Sequence, residues 1–179
     1  RERIRERYDV KLRGRIGPGS NDEKSIRILN RVVEWTSTGI KYEADQRHSE
    51  ISIRDMELEQ DSKSQSTPGV KDKAKEEGEE LGQEQATRYR GLVARANYLA
   101  QDRSDIAFAT KELSRDMSRP TVDSWRRMKR LARYLIGKER MVQEYEYQGP
   151  VQDIVVWVDT DFAGCQKTRK STSGGCIRI

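Results

Sequence analysis

The chain has 179 residues, with 35 Lys and Arg against 30 Asp and Glu, and a formal net charge of +5. Leu, Ile, Val and Phe account for 34 residues, or 19% of the chain, a share at the border of the composition of disordered proteins. Because the charges nearly cancel and three Trp and seven Tyr remain, we expect a folded protein with a thin core and some disordered stretches.

Composition excludes several classes of protein. No apolar run approaches the roughly 18 residues of a membrane span, and the charged first residues are not followed by the apolar stretch of a signal peptide. Two cysteines and one histidine are too few for a disulfide framework or a multi-His metal site. We therefore expect a reducing, intracellular setting. The chain does not begin with Met, which indicates a piece of a longer protein.

The first sixty residues predict strands and one short helix. Residues 8–16 alternate apolar and polar side chains, as a half-buried strand does. Residues 25–34 predict a second strand, and a hairpin turn at 36–39 leads into a third. Apolar residues at mixed spacing in 46–58 favour a short helix.

A linker is predicted after this region. Residues 61–83 contain Ser, Lys, Glu and Gly with almost no apolar side chains, and the sequence Thr67-Pro68-Gly69 is typical of a turn. A segment that cannot bury an apolar face stays disordered. We therefore expect a disordered linker over 61–85.

Three helices are predicted next, and they should pack as a small antiparallel bundle. The first begins near Glu84, the second has Ser104 or Asp105 as its N-cap, and the third begins at Thr121 and ends at Gly137. The residues that repeat at helical spacing are Tyr89, Leu92, Val93, Ala96 and Ala100, then Ile106, Ala109, Thr110, Leu113 and Met117, then Trp125, Met128, Ala132 and Leu135.

The sequence predicts strands again after Gly137. Residues 141–147 alternate, and the continuous apolar run 154–158 is typical of a strand buried on both faces. Residues 176–179 start another strand. Because the sequence offers these strands no partners within the chain, we expect the C-terminal part to be the least stable. The fold class is therefore α+β, with N-terminal strands and a helix, a disordered linker, a three-helix bundle and C-terminal strands.

One cluster of cations stands out. Residues 86–140 hold 14 Lys and Arg against 6 Asp and Glu, whereas the rest of the chain is nearly neutral. In the third helix, four cations at i, i+3, i+4 and i+7 form one basic stripe that could follow the phosphates of a nucleic acid. A solvated helix face is the alternative. The four are Arg126, Lys129, Arg130 and Arg133.

Two further candidates lie near the C-terminus. Asp159 follows an apolar strand and precedes Thr160-Asp161, where a carboxylate could hold Mg²⁺ or could belong to an ordinary turn. The polar stretch 167–174, with Arg169 and Lys170, could contact a nucleic-acid backbone or form a solvated hairpin loop.

Motifs of one family occur in order along the second half of the chain. They are 89–100, 103–109, Leu113-Ser114-Arg115 with Met117, Pro120-Thr121 with Trp125, Lys129-Arg130 and Arg133-Tyr134-Leu135, then 159–164 and 168–174. In this order they resemble copia-type retrotransposon Pol polyproteins over roughly residues 86–179, and residues 8–60 resemble more loosely the region that follows the polymerase core. This chain departs from the family at Ser104, where the family usually has Pro, and at Phe162, where it usually has Trp.

The resemblance implies a domain order. Residues 1–60 would be the C-terminal, thumb-like part of a reverse transcriptase, and 86–140 would connect it to ribonuclease H. Residues 141–179 would be the first strands of an incomplete ribonuclease H-like fold, with Asp159 as a catalytic Mg²⁺ ligand. The implied partners are an RNA–DNA hybrid or template–primer duplex and the rest of the Pol polyprotein, in a cytoplasmic particle or the nucleus.

The resemblance does not imply that this chain is active. It contains no Asp-Asp dipeptide, which the polymerase site of the family requires, and ribonuclease H of this type uses four acids. We therefore expect the chain alone to be inactive, although the full-length protein would serve RNA-directed DNA synthesis and hybrid degradation. The alternative is a non-catalytic nucleic-acid-binding or scaffold module retained from a relict element. An unrelated Asp-x-Asp metal enzyme is disfavoured, because no nucleotide-binding Gly loop is present.

Overall fold

The computed structural model describes residues 2–59, 61–70, 78–165 and 168–179. The described residues divide into two compact units, one with the residues up to Glu146 and one with the residues from Tyr147 to Ile179. The described part is mixed α and β with antiparallel sheets. Its elements in chain order are α1 (Glu2–Arg5), β1 (Ser25–Ile28), β2 (Arg31–Trp35), β3 (Gly39–Glu43), α2 (Arg47–Asp55), α3 (Gln83–Ala100), α4 (Ser104–Ser114), α5 (Val122–Gly137), β4 (Val142–Glu146), β5 (Val155–Thr160) and β6 (Ser173–Arg178).

The sheet of the first unit contains four antiparallel strands in the order β1-β2-β3-β4. The predicted hairpin turn at 36–39 is confirmed, and the Thr36 hydroxyl accepts a hydrogen bond from the Gly39 N–H at 2.9 Å. A Cβ at Gly39 would overlap the backbone oxygen of Tyr145, so the close approach of β4 requires glycine there. One row of side chains crosses the sheet on a single face: Ile26, Val33, Tyr42 and Gln143.

Two of the predicted N-terminal strands are wrong. Residues 8–16 form no strand and make one isolated bridge, from Ile16 to Glu23. Residues 25–34 form two strands, because Leu29 and Asn30 take φ values of 50° and 65° and reverse the chain. Positive φ at both central residues is the geometry of a tight two-residue hairpin. The sequence hides this turn because it contains no glycine.

The core of the first unit lies between helices. The three predicted helices form, α3 packs on α4, α5 packs on both, and α2 lies against α3 and α5. Burying one large apolar side chain contributes about 1.5–3 kcal/mol, so this cluster is the main source of stability. Its large members are Tyr89, Leu92, Val93, Leu99, Ile106, Leu113, Met128, Leu131 and Leu135, each at most 3% exposed.

The helix starts differ in how well they were predicted. Thr121 caps α5 as expected, and its hydroxyl accepts a hydrogen bond from the Ser124 N–H at 3.3 Å while the Ser124 hydroxyl accepts one from the Thr121 N–H at 3.1 Å. The predicted caps Ser104 and Asp105 are wrong, because α4 begins at Ser104 and Arg103 occupies the N-cap position. The Asp105 carboxylate binds a guanidinium instead of capping the helix.

Arg103 is a buried cation that joins α4 to the end of α5. It is 1% exposed, and its guanidinium donates to both carboxylate oxygens of Asp105 at 2.9 and 2.7 Å. It also donates to the backbone oxygen of Lys138 at 2.9 Å, and the Tyr134 hydroxyl donates to Asp105 at 2.8 Å. Burial raises the pKa of Asp105, but the hydrogen bonds from Arg103 and Tyr134 outweigh it, so the pKa lies below its ordinary value.

The neighbouring residue Asp102 holds the sheet against the helices. Its carboxylate accepts from Arg31 Nε at 2.6 Å and from the Tyr42 hydroxyl at 2.7 Å. Its backbone oxygen accepts from Gln143 Nε2 at 2.8 Å. These contacts bind β2, β3 and β4 to the corner between α3 and α4, and the Arg31 guanidinium lies 5.1 Å from the centre of the Tyr98 ring.

Part of the predicted linker packs on the helices. The Gln65 N–H donates to the backbone oxygen of Arg133 at 3.2 Å, and the Ser64 side chain lies beside Gly137. Further along, Leu81 packs against the core, and α3 begins at Gln83, within one residue of the predicted start. Residues 61–70 and 78–82 thus contact the first unit, and the disorder of the linker stays a prediction. Residues 71–77 lie outside the described residues.

β4 belongs to the first unit. It pairs with β3 along its whole length, from Glu43 opposite Val142 to Gly39 opposite Glu146. The sequence boundary at 141 groups this strand with the C-terminal strands, whereas the pairing places it in the N-terminal sheet. The second compact unit begins at Tyr147 among the described residues.

The second unit is an antiparallel pair of strands. β5 and β6 pair with each other from Val155 opposite Arg178 to Thr160 opposite Ser173, so the expectation that they lack partners is wrong. The expected burial on both faces is also wrong, because every residue of β5 is exposed, with Trp157 at 50% and Val158 at 81%. An isolated two-stranded sheet has marginal stability in water.

None of the helices in the described ranges is long and apolar enough to cross a membrane.

We predict that Arg103→Met lowers the free energy of unfolding by about 3–5 kcal/mol, because Asp105 then keeps a partly buried charge without its ion partner. Urea denaturation followed by helical circular dichroism measures the loss. Arg54→Met is the matched control, since Arg54 is 74% exposed and pairs only with its neighbour Asp55 among the ion pairs of the described residues; it should change stability by less than about 0.5 kcal/mol. Equal losses in the two variants would contradict the prediction.

A second prediction concerns the loss of stability at low pH. Hydrogen bonds from Arg140 hold the pKa of Glu43 below its ordinary value of 4.5. The Glu43 carboxylate therefore binds a proton more readily in the unfolded chain than in the folded one. The stabilisation that Glu43 contributes is complete above pH 4.5 and is lost as the pH falls through the folded-state pKa. Urea denaturation between pH 7 and pH 3 should show a smaller acid loss of unfolding free energy in Glu43→Gln than in the parent. The exposed control Glu50→Gln should retain the parental loss.

Candidate nucleic-acid interface

α5 carries the four predicted cations on a helix that the core holds in place. The capping box starts the helix at Thr121, and Met128, Leu131 and Leu135 are at most 1% exposed. Seven residues at 1.5 Å rise separate the first cation from the last, a distance of about 10 Å. The four cations, called the basic row from here on, are Arg126, Lys129, Arg130 and Arg133.

The first residue of the basic row, Arg126, faces solvent, whereas the second, Lys129, is partly covered. The Arg126 side chain is 75% exposed, and its Nη1 lies 3.0 Å from the Asp123 carboxylate. Lys129 is half-buried. Because an exposed ion pair of this kind contributes only about 0–1 kcal/mol, Asp123 does not prevent Arg126 from binding another anion.

The second half of the basic row is overlaid by residues 61–70, called the 61–70 segment below. Arg130 Nη2 donates to the Thr67 hydroxyl at 2.7 Å, and the backbone oxygen of Arg133 accepts from Gln65. The Nε atoms of Arg130 and Arg133 are buried and have no hydrogen-bond partner among the described residues. Sequence reasoning missed this overlay, because a segment without apolar periodicity gives no signal of where it packs.

The fifth cation of the helix has a structural role. Arg127 is 15% exposed, forms an ion pair with Asp116, and its Nε lies 3.2 Å from the Asp123 carboxylate. The same Asp116 carboxylate accepts from the Ser124 hydroxyl at 3.0 Å. Arg127 thus ties α5 to the end of α4, and its place outside the predicted stripe agrees with this role.

Arg169 and Lys170 lie in the loop between β5 and β6. Arg169 has a φ of 53°, its N–H donates to the Cys165 oxygen at 2.7 Å, and the Cys165 N–H donates to the Lys170 oxygen at 3.2 Å. Both side chains are exposed. The loop is therefore a closed hairpin connection with two cations on its surface. Lys167 of the predicted loop lies outside the described residues.

The two acids of the Asp-x-Asp motif have different positions. Asp159 lies where β5 ends, as the next-to-last residue of the strand and opposite Gly174, and it is exposed. Asp161 closes the hairpin, because its carboxylate accepts from the Thr172 N–H and its own N–H donates to the Thr172 oxygen at 3.1 Å. Among the described residues, no group of three or more His, Cys, Asp or Glu could hold a metal ion. Within the described ranges Asp159 therefore has no group of ligand residues around it, and its role as a Mg²⁺ ligand stays a prediction.

His48 has a structural environment in the first unit. Its ring lies 4.6 Å from the ring of Tyr98, and its Nε2 is 3.5 Å from the Asp45 carboxylate. Burial lowers the pKa of His48, against the opposing effect of Asp45. A neutral ring packed on Tyr98 agrees with a structural histidine.

The chain is similar to Pol polyproteins of plant transposons. It is 36% identical over 93 residues to the retrovirus-related Pol polyprotein from transposon RE2 of Arabidopsis thaliana, and 35% identical over 93 residues to that from transposon RE1 of the same plant. It is also 32% identical over 88 residues to an uncharacterized mitochondrial protein of Arabidopsis thaliana. No family model matches the chain, and no solved structure matches it significantly.

These matches cover about half of this chain but a small part of the polyproteins. The aligned stretch is 52% of this chain and 6% of each of the two polyproteins. For the mitochondrial protein, the shares are 49% of this chain and 36% of that protein. The resemblance to retrotransposon Pol polyproteins is therefore confirmed over about half of the chain, and this half is homologous to the retrovirus-related Pol polyproteins of transposons.

Proposed function

We propose that this chain is a fragment of a copia-type Pol polyprotein that runs from the end of reverse transcriptase, through a connection at residues 86–140, into the start of ribonuclease H. We propose further that it contacts the nucleic-acid duplex through the basic row of α5. The homology to Pol polyproteins supports the proposed origin of this chain in such a polyprotein. The observation that carries the contact is the basic row itself, four cations on one face of a helix whose other face is fixed in the core.

The spacing of the row suits a duplex backbone. Duplex DNA carries one phosphate charge per about 1.7 Å of its axis, so a stretch of about 10 Å presents roughly six phosphates. Each phosphate that a Lys or Arg neutralises releases counterions, and binding then weakens as salt rises. The spacing therefore does not limit how many of the four cations contact phosphates.

The members of the row differ in availability. Arg126 is the most exposed, whereas Arg130 already donates to Thr67. A duplex can therefore reach Arg126 and Lys129 first. Contact with Arg130 and Arg133 requires the 61–70 segment to move or to share their donors. Arg169 and Lys170 are proposed as additional backbone contacts from the second unit.

The catalytic role of Asp159 is proposed only for the complete polyprotein. Mg²⁺ in two-metal phosphoryl chemistry requires several oxygen ligands, and the described residues offer Asp159 without a surrounding ligand set. The residues described here therefore do not make a Mg²⁺ site, and we derive no reaction step from one. In the full-length protein we propose service in RNA-directed DNA synthesis and hybrid degradation, inside a cytoplasmic particle or the nucleus.

Fluorescence anisotropy with a labelled RNA–DNA hybrid tests the proposed contact. We expect binding whose logarithmic affinity falls linearly with the logarithm of salt concentration. The double variant Arg126→Gln/Lys129→Gln should reduce the magnitude of that slope by about two, roughly one for each lost phosphate contact.

The control for this experiment is Arg54→Gln on α2. Arg54 is 74% exposed and pairs with an adjacent Asp, much as Arg126 is 75% exposed and pairs with Asp123. The control removes one positive charge and the double variant removes two. A slope that changes in the double variant and stays at the parental value in Arg54→Gln therefore identifies the α5 surface as the binding surface. Absence of hybrid binding at low salt, or the same slope in all variants, would contradict the proposal.

A further inference from the structure

The 61–70 segment contains the dipeptide Thr67-Pro68, and the combination of Ser or Thr followed by Pro occurs once in the chain. Thr67 precedes Pro68, whereas Pro18 and Pro150 follow Gly and Pro120 follows Arg. Thr67 is therefore the single Ser or Thr of the chain that stands directly before a proline. This is the minimal recognition sequence of proline-directed protein kinases.

The position of Thr67 allows access by an enzyme. It lies outside any helix or strand, and its side chain is exposed. The residue before a proline is biased away from helical backbone, and Thr67 lies at a bend of the chain. Among the described residues, the Thr67 hydroxyl accepts one hydrogen bond, from Arg130 Nη2.

The surroundings of the Thr67 hydroxyl suit a phosphate. Arg130 Nη2 already lies 2.7 Å from Thr67 Oγ1, and Arg130 Nε has no hydrogen-bond partner among the described residues. Arg guanidinium groups bind phosphate through two parallel hydrogen bonds. Lys129 and Arg133 lie on the same helix face, and the Gln65 N–H bond to Arg133 keeps the segment next to that face.

We propose that Thr67 is a phosphorylation site whose phosphate is held by Arg130. A proline-directed kinase transfers the γ-phosphoryl group of ATP to Thr67 Oγ1, the hydroxyl proton passes to the general base of the kinase, and ADP leaves. The added charge of about −1.5 to −2 replaces a neutral acceptor with an ionised one. The 61–70 segment is then held on α5 by charge-assisted hydrogen bonds.

The first test uses the full 179-residue chain, a mitogen-activated protein kinase and Mg·ATP, with mass spectrometry to locate the phosphate. We expect one phosphate at Thr67, and none at this position in Thr67→Val or Pro68→Ala. A synthetic peptide of residues 61–70 is the positive control. Modification of the peptide together with an unmodified Thr67 in the folded chain would overturn the proposal.

The second test examines the contact with Arg130 by a ³¹P nuclear magnetic resonance titration of the phosphorylated chain. The second pKa of phosphothreonine is about 6, and a guanidinium at hydrogen-bond distance lowers it by roughly half a unit or more. We expect this decrease relative to the phosphorylated peptide, its loss in Arg130→Gln, and partial retention in Arg130→Lys. Arg54→Gln is the control that should keep it.

The same pKa in the parent chain and in Arg130→Gln would overturn the role of Arg130. These measurements contain no nucleic acid, so they stand apart from the proposed duplex contact. If both proposals hold, phosphorylation should weaken hybrid binding, because the phosphate neutralises part of the basic row. An intact phosphate–Arg130 contact with unchanged hybrid binding would count against the duplex contact alone.

Discussion

Two consecutive charged residues in the corner between α3 and α4 connect the sheet of the first unit to its helices. Asp102 accepts hydrogen bonds from Arg31 on β2 and Tyr42 on β3, while Arg103 binds Asp105 and the backbone at the end of α5. Apolar burial alone is limited in a chain this rich in charge. A buried cation that lacks its partners is costly, so these networks fix how sheet and helices meet, although they add less stability than the apolar core.

The packing of α5 in the core also determines how its cations are presented on the surface. Because the apolar face of α5 is fixed among α2, α3 and α4, the cations of the basic row project from a firm base. Two of those four cations meet the polar 61–70 segment. The surface therefore combines an exposed cation, Arg126, with a segment that occupies a donor of Arg130.

The second unit shows why an apolar pattern does not by itself give burial. Residues 154–158 read as a strand covered on both faces, and β5 does form there, yet its side chains are exposed. Burial of a strand depends on the layers packed against it, and hydrogen bonding to β6 satisfies only one edge. Asp161 belongs to the same Asp-x-Asp motif as Asp159, and it closes the hairpin. Two acids of one motif can therefore have different roles.

Local sequence determined the elements whose signals lie within one turn or one helix: the cap at Thr121, the hairpin at 36–39, the helical periods of α3 to α5 and the basic row. Tertiary structure decided the rest. The turn at Leu29-Asn30 lacks glycine, and the pairing of β4 with β3 joins residues about a hundred positions apart. The contact of Thr67 with Arg130 spans 63 positions. Periodicity reports which face of an element is apolar, but it contains no information about which distant segment will cover that face.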